Sequence, residues 1–232
     1  MNHGKKYRNA AEKIGERRSL PVVLAFEKVK NGAFAKFDES VDVNINLGIN
    51  ATKSDQNVRG SVLLPNGRGK RTRIVVFAKG KYAETAQKAG ADFVGAEDLI
   101  EKIQAGWTDF DYAIATPDVM GSVGQLAKIL GPRRLLPNKK DGTVTFDVAK
   151  VVADLKSGLA FFKNDKQGII HFSIGKVSFS IDKLRENLMA LIKSVISAKP
   201  PKARGVYLKK MTVSSTMGLG VAVSPDEFVR SV

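Results

Sequence analysis

Ile74-Val75-Val76-Phe77 separates two kinds of sequence in this chain. It is an uninterrupted apolar run, the pattern of a strand buried on both faces of a parallel sheet. Beyond Phe77 the chain alternates between helix and strand. Residues 81–89 read as a helix, Asp92-Phe93-Val94 as a short strand, 96–105 as a helix, and Tyr112-Ala113-Ile114-Ala115 as a further strand. Helices and strands at this spacing define a small α/β unit with a parallel sheet. The unit continues through a helix over 123–130 and a loop over 131–142 with Gly131, Pro132, Pro137 and Gly142. A last helix, Asp147 to Lys156, is stopped by Gly158.

Upstream the period changes. Val41, Val43, Ile45 and Leu47 alternate with Asp42, Asn44 and Asn46, which is a half-buried strand of antiparallel type. Before it, residues 5–18 read as a basic helix. Leu20, Val23, Leu24 and Val29 set the stripe of a second helix ending near Asn31-Gly32. Residues 48–59 are turn-like, and Ser61-Val62-Leu63-Leu64 is a short strand before Pro65. Downstream of 159, Ile169, Ile170, Phe172 and Ile174 suggest a strand. Ser180 is an N-cap for a helix to about Ser197 with Ile181, Leu184, Leu188, Leu191, Ile192 and Val195 on one face. Lys199-Pro200-Pro201-Lys202 ends it, and 206–223 hold one or two strands broken by Gly218 and Gly220. The expected architecture is one α+β domain made from both ends of the chain, residues 1–67 and 159–232, with the α/β segment at 68–158 inserted into it.

Charge is divided unevenly between these segments. The chain has 38 Lys+Arg against 23 Asp+Glu, a net of +15. Residues 68–158 hold 15 basic and 11 acidic residues, a net of +4, which leaves 23 basic and 12 acidic residues, a net of +11, in the flanking segments. Such a field concentrates polyanions, and nucleic acid is the first partner to expect. There is no cysteine, so disulfides, thiolate metal sites and a Cys nucleophile are excluded. No apolar run approaches the roughly 20 residues of a membrane span, and the N-terminus has no signal-peptide pattern. A cytoplasmic protein is the simplest fit.

Catalytic patterns fail one by one. Around Lys70, Leu64 stands where a phosphate-binding loop needs its first glycine, and Arg71 where it needs a hydroxyl. Gly218-Leu219-Gly220 lacks the third glycine and the helix of a dinucleotide site. His3 and His171 have no carboxylate at ligand spacing, so no metal and no cofactor is expected. Acidic neighbours such as Asp38-Glu39 and Glu97-Asp98 read as solvated faces or helix starts. The chain is therefore read as a binding protein rather than an enzyme. The rival readings are a nucleotide-dependent enzyme using the middle α/β domain, and a free RNA-binding translational regulator.

Five stretches resemble the bacterial-type L-one family of large-subunit ribosomal proteins. They are Ala35-Lys36-Phe37-Asp38-Glu39-Ser40-Val41-Asp42-Val43, Lys53-Ser54-Asp55-Gln56-Asn57-Val58-Arg59-Gly60, Gly131-Pro132-Arg133 with Leu136-Pro137-Asn138, Gly142-Thr143-Val144, and Ser214-Ser215-Thr216-Met217-Gly218. They stand in the family's order across nearly the whole chain. The resemblance implies a first domain built from both termini that binds ribosomal RNA at the mobile stalk beside the tRNA exit site. It also implies that this first domain is a discontinuous α+β sandwich and the inserted one a three-layer α/β, Rossmann-like domain, together with assistance in releasing deacylated tRNA and repression of translation through the protein's own messenger RNA. The implied partners are large-subunit ribosomal RNA, that messenger and exit-site tRNA, with the chain a monomer within the cytoplasmic ribosome. The chain departs from the family at Arg134, usually glycine, at Lys139, usually proline, and at Leu219, usually proline. Glycine tolerates dihedrals that arginine does not, so the family's backbone is not carried over at Arg134.

The RNA-binding residues implied are Lys36, Phe37, Asp165, His171, Ser215, Thr216, Met217 and Gly218. Double-helical RNA offers a shallow minor groove lined with 2′-hydroxyls. Ser215 and Thr216 could exchange hydrogen bonds with 2′-hydroxyls, and Gly218 would let backbone approach a sugar edge. Met217 could lie on a ribose or base face. Taken on residue chemistry alone, the same stretch is equally a strand end with Met217 in the core. Phe37 could stack on nucleic acid and Lys36 meet a phosphate, with Phe34 left for the core. Asp165 could bond a base or orient a neighbouring donor. Lys5, Lys6 and Arg8 read either as secondary phosphate contacts or as a solvated face, and Arg133, Arg134, Lys139 and Lys140 in one loop as a secondary RNA or tRNA contact.

Overall fold

The computed structural model describes residues 4–14, 19–203, 205–225 and 228. Two compact units emerge: Met1–Gly69 with Ala160–Val232, and Lys70–Leu159. Arg68 and Gly69 thus belong with the first.

In the first unit, α1 (Lys5–Ile14) and α2 (Val22–Gly32) precede β1 (Ser40–Leu47) and β2 (Arg59–Leu63). Residues 15–18, expected to extend the first helix, lie outside the described residues. β1 realises its alternation: Val41, Val43, Ile45 and Leu47 are buried, while the residues between them are half-buried. The face of α2 differs from the stripe read in the sequence. It buries Val22, Ala25, Phe26 and Val29, and leaves Val23 and Leu24 exposed. Leu20 stands outside the helix, bridged in parallel to Val223.

The chain then forms the second unit: β3 (Ile74–Phe77), α3 (Lys81–Lys88), β4 (Phe93–Gly95), α4 (Glu97–Gln104) and β5 (Tyr112–Ala115). The strands pair in parallel in the order β4-β3-β5, and all four residues of β3 are fully buried. Val75 and Phe77 pack with Leu99, Ile100 and Ile103 of α4. Ile74 and Val76 point to the other face by strand alternation. The helix expected over 123–130 begins earlier and is broken, as α5 (Met120–Val123), a 3-10 turn (Gly124–Leu126) and α6 (Ala127–Leu130). After α7 (Val148–Ser157), Gly158 ends the helix at φ +121°.

Beyond Gly158 the chain re-enters the first unit. β6 (Leu159–Lys163) pairs with β2. β7 (Ile169–Lys176), α8 (Ile181–Ser197), β8 (Leu208–Ser215) and β9 (Val221–Val223) complete it. The larger sheet has the order β7-β1-β8-β9, and its described pairs are antiparallel. Its inner face packs with α2 and α8 into one core containing Phe26, Val43, Ile45, Leu188 and Val213. Ser180 Oγ accepts from the Lys183 N–H, capping α8 as expected.

One polar residue is sealed inside α8's apolar face. Asn187 is 0% exposed. Its amide donates to the Ile174 carbonyl at 2.7 Å and the Gly67 carbonyl at 2.9 Å, and its oxygen accepts from the Asn66 N–H at 3.1 Å. The helix thereby holds both the turn after β2 and the end of β7. Asn187→Ala leaves the buried Ile174 carbonyl and the part-buried Gly67 carbonyl and Asn66 N–H short of a partner, a buried group being worth about 1–3 kcal/mol. We expect a loss of about 3 kcal/mol in unfolding free energy, read from urea melts followed by circular dichroism.

Candidate nucleic-acid interface

The outer face of the larger sheet is built of small polar side chains. Residues directly opposite in antiparallel strands share a face. Asn44 lies opposite both His171 and Thr212, and Asp42 opposite both Ser173 and Ser214. Asn46 pairs with Lys210 at one end, and Ser40 with Lys176 at the other. His171 and Lys210 are exposed and the others half-buried, whereas Val41, Val43 and Ile45 between them on β1 are buried in the core. The sequence pattern of β1 announced this face only in part, because the partners in β7 and β8 depend on register.

At the Ser40 end of the sheet two segments meet. The first carries Lys36 and Phe37, both exposed, with Phe37 57% accessible. Phe34 is half-buried against the core. The second is the turn after β8, which carries Met217 at 54% exposure, so the alternative of a core methionine is set aside. Thr216 Oγ1 accepts from the Ser40 N–H at 2.9 Å, and the Thr216 N–H donates to the Ser40 carbonyl at 3.1 Å. The threonine hydroxyl is thus anchored on one side and keeps acceptor capacity on the other.

Ser215 and Gly218 depart from the roles read in the sequence. Ser215 is 3% exposed, because strand alternation turns it inward, so its hydroxyl faces the interior rather than a sugar. Gly218 is required by that hydroxyl: a Cβ there would lie 2.3 Å from Ser215 Oγ. The close approach is therefore internal to the turn.

Asp38 and Glu39, read as a solvated pair, are both engaged. Asp38 accepts from the Ser178 N–H at 3.1 Å and the Ser178 hydroxyl at 2.8 Å. Lys176 donates to the Ser40 hydroxyl at 2.9 Å. Glu39 is 2% exposed. Its Oε1 accepts from Phe34 and Ala35, and its Oε2 accepts from Met217 at 2.9 Å. Burial opposes its charge, but the N–H groups of Met217 and Ala35, the Ser215 hydroxyl and the Phe34 N–H outweigh it and hold the carboxyl below the ordinary glutamate range.

Asp165 and His171 form a separate cluster on the same sheet. His171 lies opposite Asn44, four residues along β1 from Ser40, or about 13 Å at strand rise. Asp165 Oδ1 accepts from the N–H groups of Gln167 and Ile169, each at 2.8 Å, within the turn closed by Gly168 at φ +79°. The Ile169 N–H chiefly, then those of Gln167 and the His171 ring, lower its pKa. Asp165 Oδ2 stands 3.4 Å from His171 Nε2, whose Nδ1 is 2.6 Å from Asn44 Oδ1. Oδ1 of Asp165 is thus occupied by the turn, and Oδ2 is the oxygen that faces His171.

The remaining cations are dispersed. Lys5 and Arg8 are exposed on α1, and the side chain of Lys6 lies outside the described residues. In the second unit Arg133, Arg134, Lys139 and Lys140 are exposed, with Arg133 bonded to the Thr108 hydroxyl. Arg134 adopts φ +60°, so the glycine-like backbone is kept despite the side chain. Leu219, in place of the family's proline, is buried in the core of the first unit. Among the described residues no group of three or more acidic, His or Cys side chains could hold a metal ion, and no helix is long and apolar enough to cross a membrane.

The sheet thus presents a polar face that ends in exposed aromatic and thioether side chains, and comparison with known proteins gives the lineage. Residues 29–219 match the model of the Ribosomal protein L1p/L10e family. The chain is 53% identical over 225 residues to the large ribosomal subunit protein uL1 of Cutibacterium acnes (strain DSM 16379 / KPA171202), covering 97% of each protein. The chain belongs to the Ribosomal protein L1p/L10e family.

The Ser215–Gly218 packing gives a direct test. Gly218→Ala should destabilise the protein by about 1–3 kcal/mol through the forced displacement of the Ser215 hydroxyl. Adding Ser215→Ala should recover most of that loss, because the new Cβ then meets the Ser215 Cβ position at 3.5 Å and the Gly32 carbonyl oxygen at 3.7 Å, both ordinary contacts. Thermal melts of the two single variants and the pair measure the coupling.

Proposed function

We propose that this chain is a structural protein of the large ribosomal subunit that binds large-subunit ribosomal RNA through the outer face and the Ser40 end of its four-stranded sheet. The observation that carries the reading is the joint presentation of Phe37 and Met217, both exposed, beside Thr216 and Lys36. Large apolar side chains held in solvent mark interaction sites. Here they border hydroxyl, amide and imidazole groups suited to the 2′-hydroxyls and base edges of an RNA minor groove. The name of the 53% identical relative supports the same assignment.

The net charge of +15 supplies attraction without choice. Lys5, Lys6 and Arg8 add phosphate contacts in the first unit. Arg133, Arg134, Lys139 and Lys140 form a secondary contact in the second, facing RNA or exit-site tRNA. In this reading the protein works as a monomer on the cytoplasmic ribosome, at the mobile stalk near the tRNA exit site. There it assists release of deacylated tRNA. It represses its own translation by binding a similar element in its messenger RNA. It carries no cofactor and performs no bond chemistry.

The chain should co-sediment with large ribosomal subunits, and its affinity for large-subunit ribosomal RNA should fall linearly on a log–log plot against salt. Failure to sediment with subunits, or affinity unchanged between low and moderate salt, would sink the proposal. Thr216→Val should weaken RNA binding several-fold while leaving the far-ultraviolet circular dichroism intact. Unchanged affinity in a filter-binding titration removes Thr216 from the interface.

A further inference from the structure

Glu39 does more than satisfy a loop. Its Oε1 accepts from Phe34 at 3.1 Å and Ala35 at 2.8 Å, just before Lys36 and Phe37. Its Oε2 accepts from Met217 at 2.9 Å, across 178 positions of sequence. One buried carboxylate therefore spans the two segments that present the exposed apolar pair. The chemistry suits the task. An ionised carboxylate is purely an acceptor with about four lone-pair sites, and its bonds to N–H groups are roughly twice as strong as neutral ones. An amide in its place would turn an NH2 group toward one of the N–H donors.

We infer that Glu39 is the positioning residue of the RNA interface: its carboxylate locks the Phe37 loop to the Met217 turn, so that both side chains are set before RNA arrives. This rests on the reading of the interface proposed above. Buried at 2% exposure, Glu39 touches no RNA and acts through Phe37 and Met217. A site ordered in advance spends less of its interaction energy on ordering when the ligand binds. Asp38 fastens the same loop on the other side, to Ser178. The charged residues beside Glu39 in its own loop are Lys36 and Asp38, and Lys176 of β7 donates to the neighbouring Asp38 carbonyl at 3.3 Å and Ser40 hydroxyl at 2.9 Å. The folded pKa of Glu39 is depressed, so its contribution is fully present above the ordinary value of 4.5 and is lost as pH falls through the lowered one.

The test uses the full chain, Glu39→Gln, deproteinised bacterial large-subunit ribosomal RNA as probe and small-subunit ribosomal RNA as control. We expect a loss of affinity for the large-subunit RNA of about tenfold or more, as for loss of a charge-assisted hydrogen bond. The salt slope should not change, since no phosphate contact is removed. Introduced into the Phe37→Ala/Met217→Ala background, Glu39→Gln should cause no further loss. A folded Glu39→Gln protein that binds like the wild type, or whose loss adds in full to that background, overturns the inference and leaves the interface standing. A wild-type chain with no preference for large-subunit RNA overturns both. If Glu39→Gln fails to fold, nuclear magnetic resonance of the wild type decides. The amide shifts of Phe34, Ala35 and Met217 should titrate together, with one midpoint below 4.5. Separate midpoints, or no titration, overturn the clamp.

Discussion

Strand β1 is hydrogen-bonded along both edges by strands from the far end of the chain, β7 on one side and β8 on the other. The rest of the first unit depends on that double pairing. It places a buried row of Val41, Val43, Ile45 and Leu47 over α2 and α8 and a polar row outward. A slip of one residue would exchange the two rows, so the apolar core fixes the register. Register in turn brings Ser40 to Thr216, 176 positions away, and to Lys176. The pairing with β7 shifts between Val41 and Asp42, next to the candidate interface. Such irregularities re-aim a strand end, and this one stands where the loop bearing Phe37 enters the sheet.

Two buried polar side chains then do what apolar packing cannot, which is to hold irregular backbone in place. Asn187 fixes the turn after β2 and the end of β7 from within α8. Glu39 fixes the loop before β1 and the turn after β8. In each case the side chain is hydrogen-bonded to three backbone groups. Both therefore stabilise one conformation against its near alternatives, which favours a surface meant to match another.

The elements with a strong local period were legible in the sequence. The alternation in β1, the apolar run of β3 and the stripe of α8 each arise from residues within one element. What depended on distant partners was not. The stripe of α2 was misdrawn by starting it at Leu20, which belongs to a bridge with Val223. β6 went unseen because Leu159-Ala160-Phe161-Phe162 comes directly after Gly158, and only its pairing with β2 makes it a strand. Asp38 and Glu39 read as solvent-facing because nothing nearby shows the N–H groups that receive them. At the candidate site, the exposure of Phe37 and Met217 was expected from the family resemblance, since residue chemistry alone left a core Met217 equally open. The inward turn of Ser215 and the internal reason for Gly218 depend on neighbours in space that no local pattern announces.

The way the first unit is assembled also bears on how the protein is made. Synthesis runs from the N-terminus, so β1 leaves the ribosome long before either of its neighbours exists. The second unit, contiguous from Lys70 to Leu159, is complete while β1 still waits. At about 5–20 residues per second the wait is on the order of ten seconds. Throughout it, a strand of four buried-type apolar residues has both edges unsatisfied. The polar alternates Asp42, Asn44 and Asn46 keep that nascent segment hydrated, and so the residues that face outward in the finished sheet also protect it during biogenesis.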